Sequence, residues 1–204
     1  NTGYRIAGRD AANYGDIGDD AVDLSISEMT STTRGATGDY STAMGFFATA
    51  SGTVSTAMGF DTEASGTTST AMGFDTEASA SSSTAMGLAT VASGTISTAM
   101  GEGTTASGYA STAMGQNTTA SGSASTAMGG GAEASGDYST AMGDNTTAKS
   151  YAETSIGLNN TDYTPADSIN WNSADRLFVI GNGQSLTAKS DAMIVYKNGN
   201  TIIN

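Results

Sequence analysis

Neither cysteine nor histidine occurs in this chain of 204 residues. Without cysteine there is no disulfide, no thiolate metal site and no thiol nucleophile. Without histidine the commonest general base and metal ligand is gone. Large apolar side chains are scarce as well. Leu, Ile, Val and Phe together supply 25 residues, about 12% of the chain, a level at which disorder is the usual expectation. No apolar run approaches the roughly 20 residues of a membrane-spanning helix. Basic residues number 7 against 20 acidic ones, a net charge of −13, and no Lys or Arg lies between Gly35 and Ala148. Such a surface has no footprint for phosphate backbones or anionic lipids. Its acidity reads as solubility and mutual repulsion. The chain starts at Asn1 without an initiator Met or a signal-peptide pattern, and reads as a segment of a longer protein.

What is present is a repeat. Ser-Thr-Ala-Met-Gly occurs at 41–45, 55–59, 69–73, 83–87, 97–101, 111–115, 125–129 and 139–143, eight copies spaced by 14 residues without insertion. A degraded ninth copy, Thr154-Ser155-Ile156-Gly157, reads as lying one residue late. Between copies runs a second half that mostly ends in Ala-Ser-Gly, as at Ala50-Ser51-Gly52 and Ala64-Ser65-Gly66; Ala78-Ser79-Ala80 and Ala148-Lys149-Ser150 are exceptions. Two glycines per unit would each cost a helix about 1 kcal/mol. A seven-residue half with a glycine corner suits a short strand and a turn. Stacked coils of two strands each make an all-β parallel β-roll or solenoid, with neighbouring coils about 4.8 Å apart. In such a stack each coil buries its face on its neighbours, so small residues suffice.

Comparing equivalent positions sorts the faces. Ser41, Thr42, Ala43 and Met44 recur unchanged in all eight units, whereas positions 47 and 49 and their equivalents vary. Side chains alternate along a strand, so both faces of the first strand are constrained. Methionine fills irregular gaps. Met44, Met58, Met72, Met86, Met100, Met114, Met128 and Met142 are therefore expected in the coil interior. The opposite face, Ser41 with Ala43, Ala57, Ala71, Ala85, Ala99, Ala113, Ala127 and Ala141, is then expected to form a close interface between chains of a cyclic homo-oligomer.

The motif [S/T]-x-A-[I/M]-G every 14 residues, alternating with Ala-Ser-Gly, resembles the head repeat of trimeric autotransporter adhesins, the YadA-like heads. The likeness spans residues 36–157. It implies a homotrimeric left-handed parallel β-roll, and an extracellular attachment role on a bacterial surface. Similar repeats also occur in phage tail fibres, which makes a phage or tail-like particle the alternative setting. Thr42 and Met44 stand where the family often has Val and Ile. The stretch 190–201 resembles, more weakly, the segment before the chaperone domain of phage-type tail fibres.

Three segments follow: an N-terminal cap or lead-in at 1–35, the head repeats at 36–157, and a β-rich connector at 158–204. In the first, residues 21–27 alternate apolar and polar, as a half-buried strand does. In the last, Leu177–Ile180 and Ala192–Tyr196 are the strongest strand signals, each followed by a glycine–asparagine turn.

Decoration of the outward positions is uneven. Phe46, Phe60, Phe74 and Leu88 share one position beside Phe47, which turns polar at Glu102, Gln116, Gly130 and Asp144; this apolar ladder reads as interface if it lies at a corner between protomers, and as a patch for a partner if it is exposed. Asp61/Glu63 and Asp75/Glu77 share positions in adjacent coils. Phe60, Asp61, Glu63, Phe74, Asp75 and Glu77 are thus the candidate binding surface, for a host or cell-surface protein or glycan. The four carboxylates could hold Ca²⁺, although the GGxGxD nonapeptide is absent, and no cofactor is expected. Thr62, Thr76, Thr90, Thr104 and Thr118 form a threonine file of the kind seen on ice-binding solenoids, but at a position expected to face inward. No GxSxG or phosphate loop is present, and paired surface carboxylates on a repeat make a poor hydrolytic pocket; the chain is not expected to be an enzyme. An adhesin or fibre head is the leading reading, with a spacer lacking its own ligand as the alternative and an ice-binding module as the remote one.

Overall fold

A computed structural model of the chain describes residues 2–204. It divides into two compact units, one reaching to Glu102 and one spanning Gly103–Asn204. The first contains β1 (Tyr4–Arg5), β2 (Val22–Ile26), β3 (Gly35–Ala36), β4 (Thr42–Phe46), β5 (Thr49–Ala50), β6 (Thr56–Phe60), β7 (Glu63–Ala64), β8 (Thr70–Phe74), β9 (Glu77–Ala78), β10 (Thr84–Leu88), β11 (Val91–Ala92) and β12 (Thr98–Glu102), with a 3₁₀ turn at Ala11–Asn13. The second contains β13 (Thr105–Ala106), β14 (Thr112–Gln116), β15 (Thr119–Ala120), β16 (Thr126–Gly130), β17 (Glu133–Ala134), β18 (Thr140–Asp144), β19 (Thr147–Ala148), β20 (Thr154–Leu158), β21 (Arg176–Asn182), β22 (Asp191–Tyr196) and β23 (Thr201–Ile203).

Each unit is a parallel β-solenoid. Every 14-residue coil contributes one five-residue strand and one two-residue strand. The long strands stack in register, Thr on Thr and Met on Met, as in β4 to β6 and β14 to β16. The short strands stack the same way, as in β7 to β9 and β15 to β17. The ninth copy is not displaced: Thr154 pairs with Thr140 and Gly157 with Gly143. It only looks late because Glu153 stands where the other coils have Ser. Beyond it β21 still adds in parallel to β20, and the chain then reverses into the antiparallel strands β22 and β23.

The interior is narrower than the repeat suggests, and it reverses the assigned faces. Ser41, Ala43, Ala57, Ala71, Ala85, Ala99, Ala113, Ala127 and Ala141 are all fully buried within the single chain, so they cannot be an interface between chains. Met44, Met58 and Met142 are exposed, at 36–43%, and Met72, Met86, Met100, Met114 and Met128 are half-buried. None of them lies inside. Across the interior from the Ser/Ala face stand Ala50 and its equivalents, with Thr62, Thr76, Thr90, Thr104 and Thr118 beside them, all fully or almost fully buried. The corners joining the two strands are so short that the facing walls leave room for methyl and hydroxyl groups only. The threonine file therefore shows no hydroxyl to solvent. The lead-in strand inverts in the same way: in β2, Asp23 and Ser25 point in while Leu24 and Ile26 are exposed.

Spacing between coils is as tight as spacing within them. Gly59 has φ of 138°, and a Cβ built there would collide with the carbonyl oxygen of Gly73 in the next coil. Only glycine fits both demands. The corners on either side of each long strand also take left-handed residues. One set comprises Phe47, Asp61, Asp75, Ala89, Asn117, Asn145 and Asn159, and the other includes Tyr40, Val54, Thr68 and Ile96. A β-branched residue at positive φ is strained, so the stacked coils on either side hold these corners in place.

Each unit carries a buried carboxylate near a chain terminus, Asp23 in the first and Glu153 in the second. In β2, Asp23 occupies the position of Ala43 and is bound by Arg5 Nε at 2.7 Å and by the Ser25 hydroxyl at 2.6 Å. In the second unit the short-strand ladder runs out at β19. In the coil before, the N–H groups of Ser135 and Gly136 both donate to the carbonyl of Ala148. In the last coil the equivalent N–H groups, of Lys149 and Ser150, both donate to Glu153 Oε2, at 2.8 and 2.9 Å. Asn160 completes the substitution: its side-chain amide accepts from Thr147 N–H at 2.7 Å and donates to Thr147 O at 2.9 Å, as a further strand would. Two side chains thus stand in for the missing coil, satisfying a sheet edge that would otherwise template further pairing.

Two predictions follow from this interior. Ala71→Leu should cost about 3 kcal/mol or more, because overpacking a rigid interior cannot relax, whereas Met72→Leu should be nearly neutral; thermal unfolding followed by circular dichroism compares them. A larger loss for Met72→Leu would restore methionine to the interior. The second concerns pH. Burial pushes the Glu153 carboxyl above its usual 4.5, opposed by the two backbone N–H donors, by Arg176 and by the Ser155 hydroxyl; Tyr163 and Lys197 also face it. A raised folded-state pKa means stability that is present below 4.5 and lost as pH rises through the folded value. Glu153→Gln keeps the acceptor oxygen, so it should flatten that slope without lowering stability at neutral pH. Glu153→Ala should cost about 1–3 kcal/mol per stranded N–H. An unchanged pH profile in Glu153→Gln would show that another group sets the slope.

Candidate functional site

The six residues singled out by sequence do come together, on the early coils of the first unit. Phe46, Phe60 and Phe74 end successive long strands and pair in register, followed by Leu88. Phe46 and Phe60 stack with ring centroids 5.3 Å apart and planes 18° apart; Phe60 and Phe74 stack at 4.8 Å and 4°. Stacked along the coil direction, the rings offer their edges to solvent as one apolar strip. Phe60 and Phe74 are 40% and 50% exposed. Ile26 of β2 pairs with Phe46 and continues the strip on the N-terminal side; Phe47 lies 4.0 Å from Phe46, and the Arg34 guanidinium lies over it at 3.8 Å.

One residue on, the chain turns. Asp61 and Asp75 occupy the left-handed corner, with φ of 51° and 55°. Aspartate and asparagine tolerate that conformation better than most residues, which explains why this position is dominated by Asp, Asn and Gly. Past the corner Glu63 and Glu77 point outward from the short strands and pair directly, Glu63 with Glu77. The four carboxylates are exposed, and among the described residues none makes an ion pair. Like charges on adjacent strands repel by a fraction of a kcal/mol each in water. Other acids of the chain are neutralised internally: Asp23 by Arg5, Asp191 by Arg176, Asp162 by Lys149 and Lys189. A shallow cavity of about 260 Å³ runs between Phe47 and these acids, over Thr49, Asp61, Glu63, Asp75 and Glu77.

Chemically, this is an apolar strip beside an unneutralised acidic one. It matches a partner that brings apolar groups and positive charge. It is not a metal cage: among the described residues no three carboxylates converge as an ion would require. No helix among them is long and apolar enough to cross a membrane.

Sequence reasoning missed the second exposed surface. The outward face of the long strands carries Thr42 and Met44 and their equivalents, continued by Leu24 in β2 and by Ile156 in β20, which pairs with Met142. The signal was available in residue size, since a unit of 14 residues cannot enclose methionine. Also missed were the end-capping roles of Glu153 and Asn160. Glu153 was legible as the one departure from Ser at that position.

Comparison with known families places this geometry. The YadA head domain repeat, a unit of two copies, matches residues 36–62, 64–90, 92–118 and 120–146. No curated protein matches the chain at a significant level.

Proposed function

The chain belongs to the YadA head-repeat family, and from that premise we propose that it is the head of a homotrimeric surface adhesin, with its receptor contact on the early coils. Family heads of this kind are surface-exposed, adhesin-type structural domains, not enzymes. The observation that carries the trimer is the outward methionine strip. Met44 and its seven equivalents are invariant along the chain although they lie outside the coil. Solvent gives no reason to keep methionine at every repeat, while an apolar strip such as each unit carries is normally covered. Three copies related by a threefold axis would bring three strips together. The corrected interface is thus Thr42 and Met44 with their equivalents.

The receptor reading rests on uneven decoration. Between residues 46 and 91 the outward positions carry phenylalanines and paired acids, and later coils replace the phenylalanines with polar residues. A spacer has no use for such a difference. Phe60, Asp61, Glu63, Phe74, Asp75 and Glu77 then contact a protein partner with exposed basic and apolar side chains, and three copies per head give avidity. The bacterial cell surface is the setting the family supports.

Flow-cell binding of the head to host-cell surfaces tests this. Replacing Asp61, Glu63, Asp75 and Glu77 together with Ser should weaken binding by about tenfold or more, with sedimentation unchanged from the parent. Undiminished binding by that variant moves the contact elsewhere. Absence of binding to any host surface favours the spacer.

A further inference from the structure

The repeat admits no insertion through eight coils, and then residues 159–175 leave it. They join β20 to β21 without a strand or helix of their own, and they carry Pro165 and Trp171, the one proline and the one tryptophan of the chain. Irregular loops of this length inside a regular fold are usually functional. This one is firmly held. The Asp175 carboxylate accepts from the N–H groups of Ala166 and Asp167, at 2.6 and 2.9 Å. The Asp167 carboxylate accepts from those of Ile169 and Asn170, at 2.8 and 2.9 Å. Asn172 Oδ1 accepts from Ala174 N–H at 3.0 Å. Asp137 N–H donates to Ser168 O at 2.9 Å, tying the loop to the coil before it.

A loop so well fixed nevertheless leaves its largest apolar side chain in water: Trp171 is 57% exposed. It ends a row of rings. Lys197 Nζ lies 5.6 Å from the Trp171 ring and 5.9 Å from that of Tyr151, and Tyr151 meets Tyr138 edge-on at 5.4 Å. Tyr138 is 59% exposed. Lys197 itself is buried and donates to Ser150 Oγ at 3.1 Å, so its ammonium steadies the two rings instead of reaching solvent. Asp137, next to Tyr138, and Asp167, Asn170 and Asn172, in the loop, supply polar groups beside these rings.

We propose that Trp171, with Tyr138 and Tyr151, forms a binding site for an uncharged oligosaccharide. A pyranose ring has one face of C–H groups, which packs on an indole, and a rim of hydroxyls that both donate and accept. Carboxylates and carboxamides at the edge of an aromatic surface match that rim. Charge selects among the alternatives. The acids beside the row and the net charge of −13 exclude polyanions, while the buried Lys197 ammonium offsets Asp175, Glu153 and Asp167 around it and leaves little local charge to draw a basic peptide. Because the loop is ordered beforehand, binding need not order it. The site uses none of the early-coil residues assigned to the receptor, so the two readings stand or fall separately.

Trp171 emission reports directly on this site. The whole protein is titrated with cellohexaose, maltohexaose and chitohexaose. At least one should shift or quench the emission saturably in the millimolar range. Tyr138→Ala, which keeps the reporter, should weaken that response by about tenfold, and calorimetry should show no binding to Trp171→Ala, both variants retaining the parent circular dichroism. Three flat titrations would overturn the proposal, as would undiminished binding to Trp171→Ala. So would a Trp171 that acrylamide cannot quench in the free protein, since another copy of the chain would then cover it.

Discussion

A coil of 14 residues can close only around an interior about two methyl groups wide, and the rest of the molecule answers to that width. Alanine and serine line one wall, alanine and threonine the other. Burial of these small groups yields little transfer energy per residue, but close packing is repeated at every coil. Backbone hydrogen bonds between coils do the remaining work, and their spacing admits only glycine at Gly59 and its equivalents. Large side chains have nowhere to go but outward. The scarcity of Leu, Ile, Val and Phe is therefore a consequence of the architecture and not a sign of disorder.

Much of this was legible in the repeat itself. Strict 14-residue spacing with paired glycines led to a parallel β-solenoid, and Leu177–Ile180 and Ala192–Tyr196 were recognisable as strands. The direction of the faces was not. Constancy of Met44 and Ala43 showed that both faces of the strand are constrained, without saying which constraint applies to which. Treating methionine as core carried over an expectation from globular proteins, where the interior is wide. The Asp, Asn and Gly preference at Asp61, Asn117 and Gly131 likewise marks a left-handed corner, although it reads as the variability of a wet position. That Phe60, Asp61, Glu63, Phe74, Asp75 and Glu77 lie outward together was legible, because such positions can be compared coil by coil without knowing the width of the interior.

The outward side chains then divide the chain's tasks. Methionine and threonine at fixed intervals make a uniform strip suited to identical neighbours. Phenylalanine confined to the early coils, with the Asp61/Glu63 and Asp75/Glu77 pairs beside it, makes a local feature suited to something else. Stacked strands would otherwise keep adding partners, and Glu153 with Asn160 ends the short-strand ladder by imitating a strand with two side chains. Beyond that point the chain gives up its periodicity, holding an irregular loop in place by its own carboxylates.

The central claim is that the long-strand face meets other copies while the short-strand face meets solvent. The absence of native cysteine makes a direct comparison possible. Thr84→Cys places a thiol on the outward face of β10, and Val91→Cys places one on the outward face of β11 in the same coil. Each variant is treated with a short bismaleimide and run on a denaturing gel. The Thr84 variant should give covalently linked chains and the Val91 variant should stay monomeric. Linked chains from Val91 with none from Thr84 would contradict the account.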